Sequence, residues 1–309
     1  MLILIGAPGK QAAGDAAVSA AIAGMSRAGA EPVMVRWLER GTACELPFRN
    51  ARPGEVRQRV QDRLGPHELD IAVLPQAGRR KKLLVADMDS TILSVECLDE
   101  LADFAGMKER IAPVTERAMR GELPFEEALT ERVRLLAGLE AAALERTWAE
   151  RVRFTPGADV LVATMKAHGA RTVLVSGGFT WFTGRAARAL GFDRHCANRL
   201  EIADGRLTGK VLPPILGRGA KQSILLGERR AGGFAPEETL AVGDGANDLE
   251  MLAEAGLGVA FHAKPAVAAA APVSIVHGDL TALLFLQGYG RSRFAAPRKN
   301  RPRTESGGG

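Results

Sequence analysis

The sequence of 309 residues is poor in aromatic side chains, which make up 5% of it and include a single tyrosine. Proteins that bind single-stranded nucleic acids stack the bases on aromatic side chains, so this scarcity argues against that class of function. The net charge of +5 comes entirely from the last twenty residues, 290–309, which hold six Lys or Arg side chains and one Glu. The remainder is neutral, and we expect no basic nucleic-acid surface on it.

Cysteine is also scarce, with Cys44, Cys97 and Cys196 far apart and no CxxC pair. An odd number of dispersed cysteines predicts a reducing, cytoplasmic setting without a disulfide framework. The apolar start Met1–Ala7 has no charged region before it and predicts a first strand instead of a signal peptide. No apolar stretch reaches membrane-spanning length, so we expect no membrane partner.

Residues 1–78 alternate between strand-like and helix-like patterns. The predicted elements are strand 2–6, helix 12–28, strands 32–38 and 43–48, helix 55–64 and strand 69–75. The order β-α-β-β-α-β is that of a ferredoxin-like α+β domain. We interpret the region as a regulatory or dimerising module, which leaves a homodimer open, and the basic segment 76–82 as a solvated linker.

A buried strand, Leu83–Ala86, is followed directly by Asp87 and Asp89. Ligands of open α/β sheets bind at the carboxyl ends of strands, and alternate residues of an extended chain lie on one side. Two close carboxylates repel unless a cation neutralises them or one holds a proton. The pair therefore predicts a Mg²⁺ ligand set or a general acid. A strand ending in an Asx-turn is the simpler alternative.

Helical periodicity without strand signals fills residues 96–154, and alternation of strands with helices then resumes. This organisation predicts a doubly wound, parallel α/β core of residues 79–95 and 155–288. The helical block 96–154 would be a cap inserted after the first core strand. Residues 289–309, rich in Arg, Pro, Gly and Ser, are predicted to be disordered.

Two more polar clusters follow predicted core strands. Ser176-Gly-Gly178 offers a hydroxyl and free backbone N–H groups at the start of a predicted helix. This arrangement is typical of a phosphate-binding site. The loop 243–248, Gly-Asp-Gly-Ala-Asn-Asp, adds two carboxylates between glycines. Lys221 opens a helix between them and could supply a positive charge. Each cluster alone could be an ordinary turn or solvated residue, but their joint order favours a catalytic site.

Together, the Asp87-Met-Asp-Ser-Thr91 segment, Ser176-Gly-Gly178, Lys221 and the 243–248 loop resemble the four motifs of the haloacid dehalogenase superfamily of phosphotransferases. The resemblance covers about residues 83–288 and is closest to members that hydrolyse O-phosphoserine. It implies that Asp87 is a nucleophile forming an aspartyl-phosphate, and that Asp89 is the general acid and base. It also implies Mg²⁺, bound by Asp87, the Asp89 backbone carbonyl and Asp244.

The same resemblance assigns the phosphate to Ser176, the Gly177 N–H and Lys221. Asn247 and Asp248 would order the attacking water, and they would also position the metal or Lys221. The N-terminal region is similar to the ACT-type modules that some bacterial members carry.

In the predicted cap, the resemblance implies that Arg132 binds a substrate carboxylate and that Glu96 binds an ammonium group. Met119 and Phe125 would form the apolar side of the pocket. A small molecule with all these groups is an amino-acid phosphate. For Arg132 a solvated side chain stays open, because no acid lies three or four residues away on its helix. An exposed acid at a helix N-terminus stays open for Glu96.

Two other functions remain compatible with the sequence. One is a phosphotransferase of the same fold that passes the phosphoryl group from Asp87 to an alcohol such as homoserine. The other is a regulatory amino-acid-binding protein with a vestigial catalytic domain, against which the intact acids and Lys221 argue.

Overall fold

A computed structural model of the protein describes residues 1–119, 122–217 and 219–296, with the side chains of residues 118 and 119 excepted. Its strands form sheets of four, seven and two strands, and a helical cap lies over the seven-stranded sheet. No helix of the described ranges is long and apolar enough to cross a membrane.

In the N-terminal domain, the four strands of the main sheet and the two helices follow the predicted β-α-β-β-α-β order, and two short strands are added. Its elements are β1 (Leu2–Gly6), α1 (Asp15–Arg27), β2 (Glu31–Pro32), β3 (Arg36–Glu39), β4 (Ala43–Leu46), β5 (Phe48–Arg49), α2 (Pro53–Leu64) and β6 (Leu69–Val73). The main sheet is antiparallel in the order β3-β4-β1-β6, as in ferredoxin-like folds, and β2 pairs separately with β5.

The two faces of this sheet have different partners, because side chains alternate along each strand. Leu2 and Leu4 of β1 pack with the buried faces of α1 and α2. Ile3 and Ile5 point the other way and belong to the hydrophobic core of the catalytic domain. Asp70 of β6 strengthens this junction by accepting hydrogen bonds from the N–H groups of residues 276–278, at 2.7–3.2 Å. The N-terminal domain is therefore docked on the catalytic core.

The prediction of a solvated linker at 76–82 is wrong for its central basic residues. The Arg79 side chain is 8% exposed and forms an ion pair with buried Glu45 of β4 at 2.6 Å. Its Nε and Nη2 donate to the carbonyls of Leu286 and Phe285 at 3.0 and 3.1 Å. Lys81 is buried as well and donates to the carbonyls of Gly78 and Glu237. Docking of the two domains covers these two side chains, whereas the other residues of the segment are exposed.

The catalytic core is the predicted doubly wound sheet. Its strands are β7 (Leu83–Asp87), β8 (Arg171–Phe179), β9 (Arg194–Ala203), β10 (Arg206–Leu212), β11 (Thr239–Gly243), β12 (Leu257–Phe261) and β13 (Val273–Ile275). The sheet order is β10-β9-β8-β7-β11-β12-β13, parallel except for β10. The strand order reverses between β7 and β11, which is where open α/β sheets bind ligands.

Helices cover both faces of this sheet: α7 (Ala158–Ala167), α8 (Thr180–Leu190), α9 (Ala220–Gly232), α10 (Leu249–Glu254), α11 (Pro265–Ala270) and α12 (Ala282–Leu286). The central strands β7, β11 and β12 are buried along their length, as expected for a sheet covered on both sides.

The cap consists of α3 (Cys97–Phe104), α4 (Lys108–Met119), α5 (Phe125–Arg134) and α6 (Ala142–Glu150). The β9–β10 hairpin supports it, since the Leu207 N–H donates to the Leu139 carbonyl and the Gly138 N–H donates to the Leu207 carbonyl, both at 2.8 Å. The hairpin turns at Asp204 and Gly205, whose positive φ angles of 50° and 71° are those of a tight two-residue turn.

The predicted disordered tail, 289–309, is wrong at its beginning. Tyr289 is buried, and the ring of Phe294 lies 5.2 Å from that of Phe285. The Ala295 N–H donates to Thr164 Oγ1 at 2.9 Å. Apolar side chains among the arginines thus continue the core, while residues 297–309 of this prediction lie outside the described ranges.

Candidate active site

The two aspartates after β7 have different partners. Asp87, buried at the strand end, accepts the Met88 N–H at 2.8 Å and pairs with Lys221 Nζ at 2.8 Å, both through Oδ1. Asp89 accepts the Cys97 N–H through Oδ1 at 2.9 Å and the Ser176 hydroxyl through Oδ2 at 2.7 Å. The Asp87 carboxylate thus faces the sheet edge, and the Asp89 carboxylate lies between the cap and β8.

Asp244 and Asp248, which follow β11, lie beside Asp87. Carboxylate oxygens of the three aspartates all lie within 4.8 Å of one another. Lys221, in the first turn of α9, joins Asp87 to Asp248 with a second contact of 2.7 Å. Thr91 donates to Asp244 Oδ1 at 3.0 Å, and the Gly245 N–H donates to Asp248 Oδ2 at 3.0 Å. Residues from three chain segments therefore form one charged cluster.

Burial and mutual repulsion perturb the protonation of this cluster. Burial, reinforced by the negative charge of Asp248, raises the pKa of Asp87 well above its usual range. The pKa of Asp244 is raised for the same two reasons. Burial alone would lower the pKa of Lys221, but the carboxylates of Asp87 and Asp248 outweigh it and raise that pKa. The ammonium therefore stays charged while the carboxylates favour an additional positive charge.

The residues fit a divalent cation. When all are ionised, the three carboxylates exceed the one ammonium by two charges in a largely buried space. Carboxylate oxygens are the ligands that Mg²⁺ prefers. Asp248, which we expected in a supporting position, belongs to the same cluster of potential ligands as Asp87 and Asp244. The carboxylate of Asp89 faces Ser176 instead, and its predicted backbone-carbonyl ligand role stays a prediction.

The Ser176-Gly-Gly178 segment does not open a helix directly, because β8 continues through it to Phe179 and α8 begins at Thr180. The Ser176 hydroxyl accepts the Gly178 N–H at 2.7 Å while donating to Asp89. Asn198 of β9 donates to the Gly177 carbonyl at 2.8 Å and is buried. Sequence reasoning missed Asn198, because it stands among other polar residues of β9 and carries no local signal.

Glu96 lies at the N-terminus of α3 and accepts the Ser90 hydroxyl at 2.7 Å. Burial, with the negative charges of Asp89, Asp244 and Asp99, raises the pKa of Glu96 to about 7. A carboxylate held in this way is suited to a cationic group of a ligand. Glu96 is also exposed at the helix N-terminus, which matches the alternative that we left open, and its contact with an ammonium group stays a prediction.

Phe125, the first residue of α5, lies over Gly177 in the segment that we expect to bind phosphate. A Cβ atom placed on Gly177 would lie 2.9 Å from its ring, so a larger residue at this position would have to displace the Phe125 ring. Asn247 is exposed at the start of the turn after β11. The side chain of Met119 lies outside the part of the chain that the structure describes, and its predicted role stays a prediction.

Arg132 is neither solvated nor free. It is on α5, seven residues after Phe125, and its Nη2 contacts Asp99 Oδ1 on α3 at 2.5 Å. The expectation that no acid pairs with Arg132 considered its own helix alone. The partner comes from another cap helix, which the sequence spacing could not reveal.

Comparison with known proteins agrees with this geometry. Residues 84–253 match the haloacid dehalogenase-like hydrolases. This chain belongs to that family. A second model of the same description matches residues 229–279. The motif residues Asp87, Ser176, Lys221 and Asp244 all lie within the first match.

Individual relatives are similar as well. The chain is 46% identical over 234 residues to the phosphoserine phosphatase of Archaeoglobus fulgidus, covering 74% of this chain and 67% of that protein. An unliganded crystal structure of a probable phosphoserine phosphatase from Vibrio cholerae superposes with a TM-score of 0.77 at 33% identity, over 94% of this chain and 87% of that one. A phospho-aspartyl intermediate analogue of a phosphoserine phosphatase gives 0.62 at 40% identity, over 67% and 98%.

Proposed function

We propose that the protein is a Mg²⁺-dependent phosphoserine phosphatase, which hydrolyses O-phospho-L-serine to L-serine and phosphate as the last step of serine biosynthesis. The observation that carries this proposal is that Glu96 of the cap lies close enough to Asp89 and Asp244 to interact with them, and Asp244 clusters with Asp87 in the core. That arrangement provides for a phosphate and an ammonium group in one small site. The named relatives support the same activity.

Asp87 is the nucleophile in this proposal. Its Oδ1 accepts the Met88 N–H and contacts Lys221, so we assign the attack on phosphorus to Oδ2. The attack forms an aspartyl-phosphate and releases the serine oxygen. Burial of Asp87 raises the energy of its charged form, which favours bond formation over continued solvation.

Asp89 is the general acid and general base in this proposal. It protonates the leaving serine oxygen and then takes a proton from the water that hydrolyses the aspartyl-phosphate. Hydrogen bonds from the Cys97 N–H and the Ser176 hydroxyl hold each of its oxygens in place. The backbone N–H of the cap residue Cys97 thus helps to position the carboxylate of Asp89.

The phosphoryl group is bound by Ser176, the Gly177 N–H and Lys221. Asn198 fixes the Gly177 peptide through its carbonyl, and its own Oδ1 accepts the Leu216 N–H at 2.7 Å. Asp87, Asp244 and Asp248 would hold Mg²⁺, which neutralises charge on the phosphoryl oxygens when bound. Asn247 orders the attacking water.

Cap residues select the rest of the substrate. Glu96 pairs with the substrate ammonium and Arg132 with its carboxylate, while Phe125 and Met119 supply the apolar side of the pocket. The domain boundaries 1–78, 79–95 with 155–288, and 96–154 belong to the same proposal. The proposal also includes a homodimer and an ACT-like regulatory role for the N-terminal domain. It includes a cytoplasmic setting as well, which the three unpaired cysteines support.

A phosphate-release screen tests the function. Phosphoserine, phosphothreonine and sugar phosphates are compared with and without Mg²⁺, and serine is quantified as the product. We expect Mg²⁺-dependent release from phosphoserine far above the others. Phosphohomoserine formed in the presence of homoserine would instead identify a phosphotransferase, and no release from any substrate would overturn both.

A further inference from the structure

The side chain that we assign to the substrate carboxylate already contacts a carboxylate of the protein. Arg132 Nη2 contacts Asp99 Oδ1 at 2.5 Å. Asp99 is on α3, three residues after Glu96, so it lies on the helix that supplies the proposed ammonium site. An internal carboxylate thus occupies the place that the proposed function gives to the substrate.

The contact uses only part of the guanidinium group. Arg132 Nε is buried and has no hydrogen-bond acceptor among the described residues. A guanidinium can bind both oxygens of one carboxylate through two parallel hydrogen bonds. A substrate carboxylate that reaches Nε and Nη2 together would therefore satisfy a donor that Asp99 leaves unpaired.

The two partners differ in their exposure to solvent. The Arg132 side chain is 20% exposed, whereas that of Asp99 is 47% exposed. Asp99 can return to water at little cost, while Arg132 needs an anionic partner because it is largely desolvated. Both carboxylates on one guanidinium would also repel each other. These differences favour exchange of Asp99 for the substrate over retention of both.

We propose that Asp99 is a specificity-determining residue: it occupies Arg132 as an internal surrogate for the substrate carboxylate, and the substrate displaces it. The inference rests on the proposed function. Asp99 keeps the guanidinium oriented and charge-balanced between turnovers, and it competes with every incoming carboxylate. This competition lowers the affinity of the enzyme for phosphoserine.

The test compares phosphoserine with phosphoethanolamine, which has the phosphate and the ammonium but no carboxylate. Asp99→Asn should lower KM for phosphoserine about three- to fivefold, the size expected for a partly exposed ion pair, with kcat unchanged. KM for phosphoethanolamine should stay the same. Because both substrates carry the ammonium, any indirect effect of the substitution on Glu96 affects them equally.

Three further variants separate competition from general effects. Asp103→Asn removes the same charge one turn along α3, where the partners are Lys108 and Arg151, and should leave the ratio of the two KM values unchanged. Asp99→Glu keeps the carboxylate and should restore a KM near that of the wild type. In an Arg132→Ala background, Asp99→Asn should have no effect, since there is no guanidinium to compete for.

A higher KM for phosphoserine in Asp99→Asn would overturn the proposal, because it would show that Asp99 stays and orients Arg132. Equal changes for both substrates, or no change, would overturn it too. Asp99→Ser serves as a second variant without the carboxylate should Asn fold poorly. A wild-type protein without turnover of phosphoserine would refute the proposed function itself, and Asp99 would lose its role with it.

Discussion

Replacement of Arg79 by Ala should destabilise the protein more than any single surface substitution. Arg79 connects three parts of the chain: Glu45 in the N-terminal sheet, its own segment after β6, and the last carbonyls of α12. Its side chain is 8% exposed and that of Glu45 is 1% exposed. The substitution would leave a buried carboxylate without its buried cationic partner.

The magnitude follows from these contacts. Breaking a buried ion pair by removing one partner costs about 3–5 kcal/mol. Arg36 also contacts Glu45, but its side chain is largely exposed, so it offsets about 1 kcal/mol at most. We therefore expect a loss of about 3 kcal/mol in the free energy of unfolding. At about 2–4 °C per kcal/mol, Tm should fall by about 6–12 °C.

Urea unfolding provides the assay, followed by far-UV circular dichroism and tryptophan fluorescence. Trp37 reports on the N-terminal domain, and Trp148 and Trp181 report on the cap and core. Arg40→Ala is the matched control, because Arg40 pairs with Asp15 at 2.8 Å on the surface and should contribute about 1 kcal/mol. It is followed by circular dichroism alone, since the Arg40 guanidinium lies 4.7 Å from the centre of the Trp37 ring.

A double variant isolates the electrostatic cause. Replacing Arg79 by Met and Glu45 by Leu removes both buried charges, so it should recover much of the stability lost with Arg79 alone. A loss below about 1 kcal/mol for Arg79→Ala, or no recovery in the double variant, would refute the reasoning that this junction is buried and charge-paired.

Four other predictions concern the site and the C-terminal segment. Asp87→Asn keeps the side-chain volume but removes the nucleophile, so phosphate release should vanish with an unchanged melting curve; activity within about tenfold of wild type would contradict covalent catalysis. Arg132→Ala should raise KM for phosphoserine about 30- to 1000-fold and barely affect phosphoethanolamine, whereas equal losses would move the carboxylate site elsewhere. Because the pKa of Glu96 is raised to about 7 and its ionised form binds the ammonium, kcat/KM should fall as pH decreases through 7, and Glu96→Gln should remove that step from the pH profile; a step that persists in the variant belongs to another group. Phe294→Ala should cost about 1–2 kcal/mol in urea unfolding, because its ring packs on Phe285; a variant as stable as the exposed-neighbour control Arg293→Ala would show that the segment contributes nothing.

Local sequence patterns were sufficient for the elements of the catalytic core and for its motif residues. Strand β7 and the aspartates after it stand where the sequence predicts them, as do the helices of the block 96–154 and the alternation of strands with helices that follows it. Such signals depend on residues close together in the chain: apolar runs, turn-forming pairs, and polar residues at strand ends. Strand ends meet at one sheet edge, so the order of motifs also predicted which residues lie together.

Contacts between distant segments were beyond the reach of these patterns. The basic residues at 79–81 have the composition of a solvated linker, and only the docking of two domains buries Arg79 against Glu45. Arg132 has no acid at helical spacing, yet Asp99 reaches it from 33 residues away. Asn198 is unremarkable in sequence but positions the peptide of Gly177. In each case the partner is chosen by packing, which depends on the free energy of the whole arrangement and leaves no local periodicity. The sequence by itself determined the elements and their motif residues, and the tertiary structure alone decided which charges are buried and with which partners.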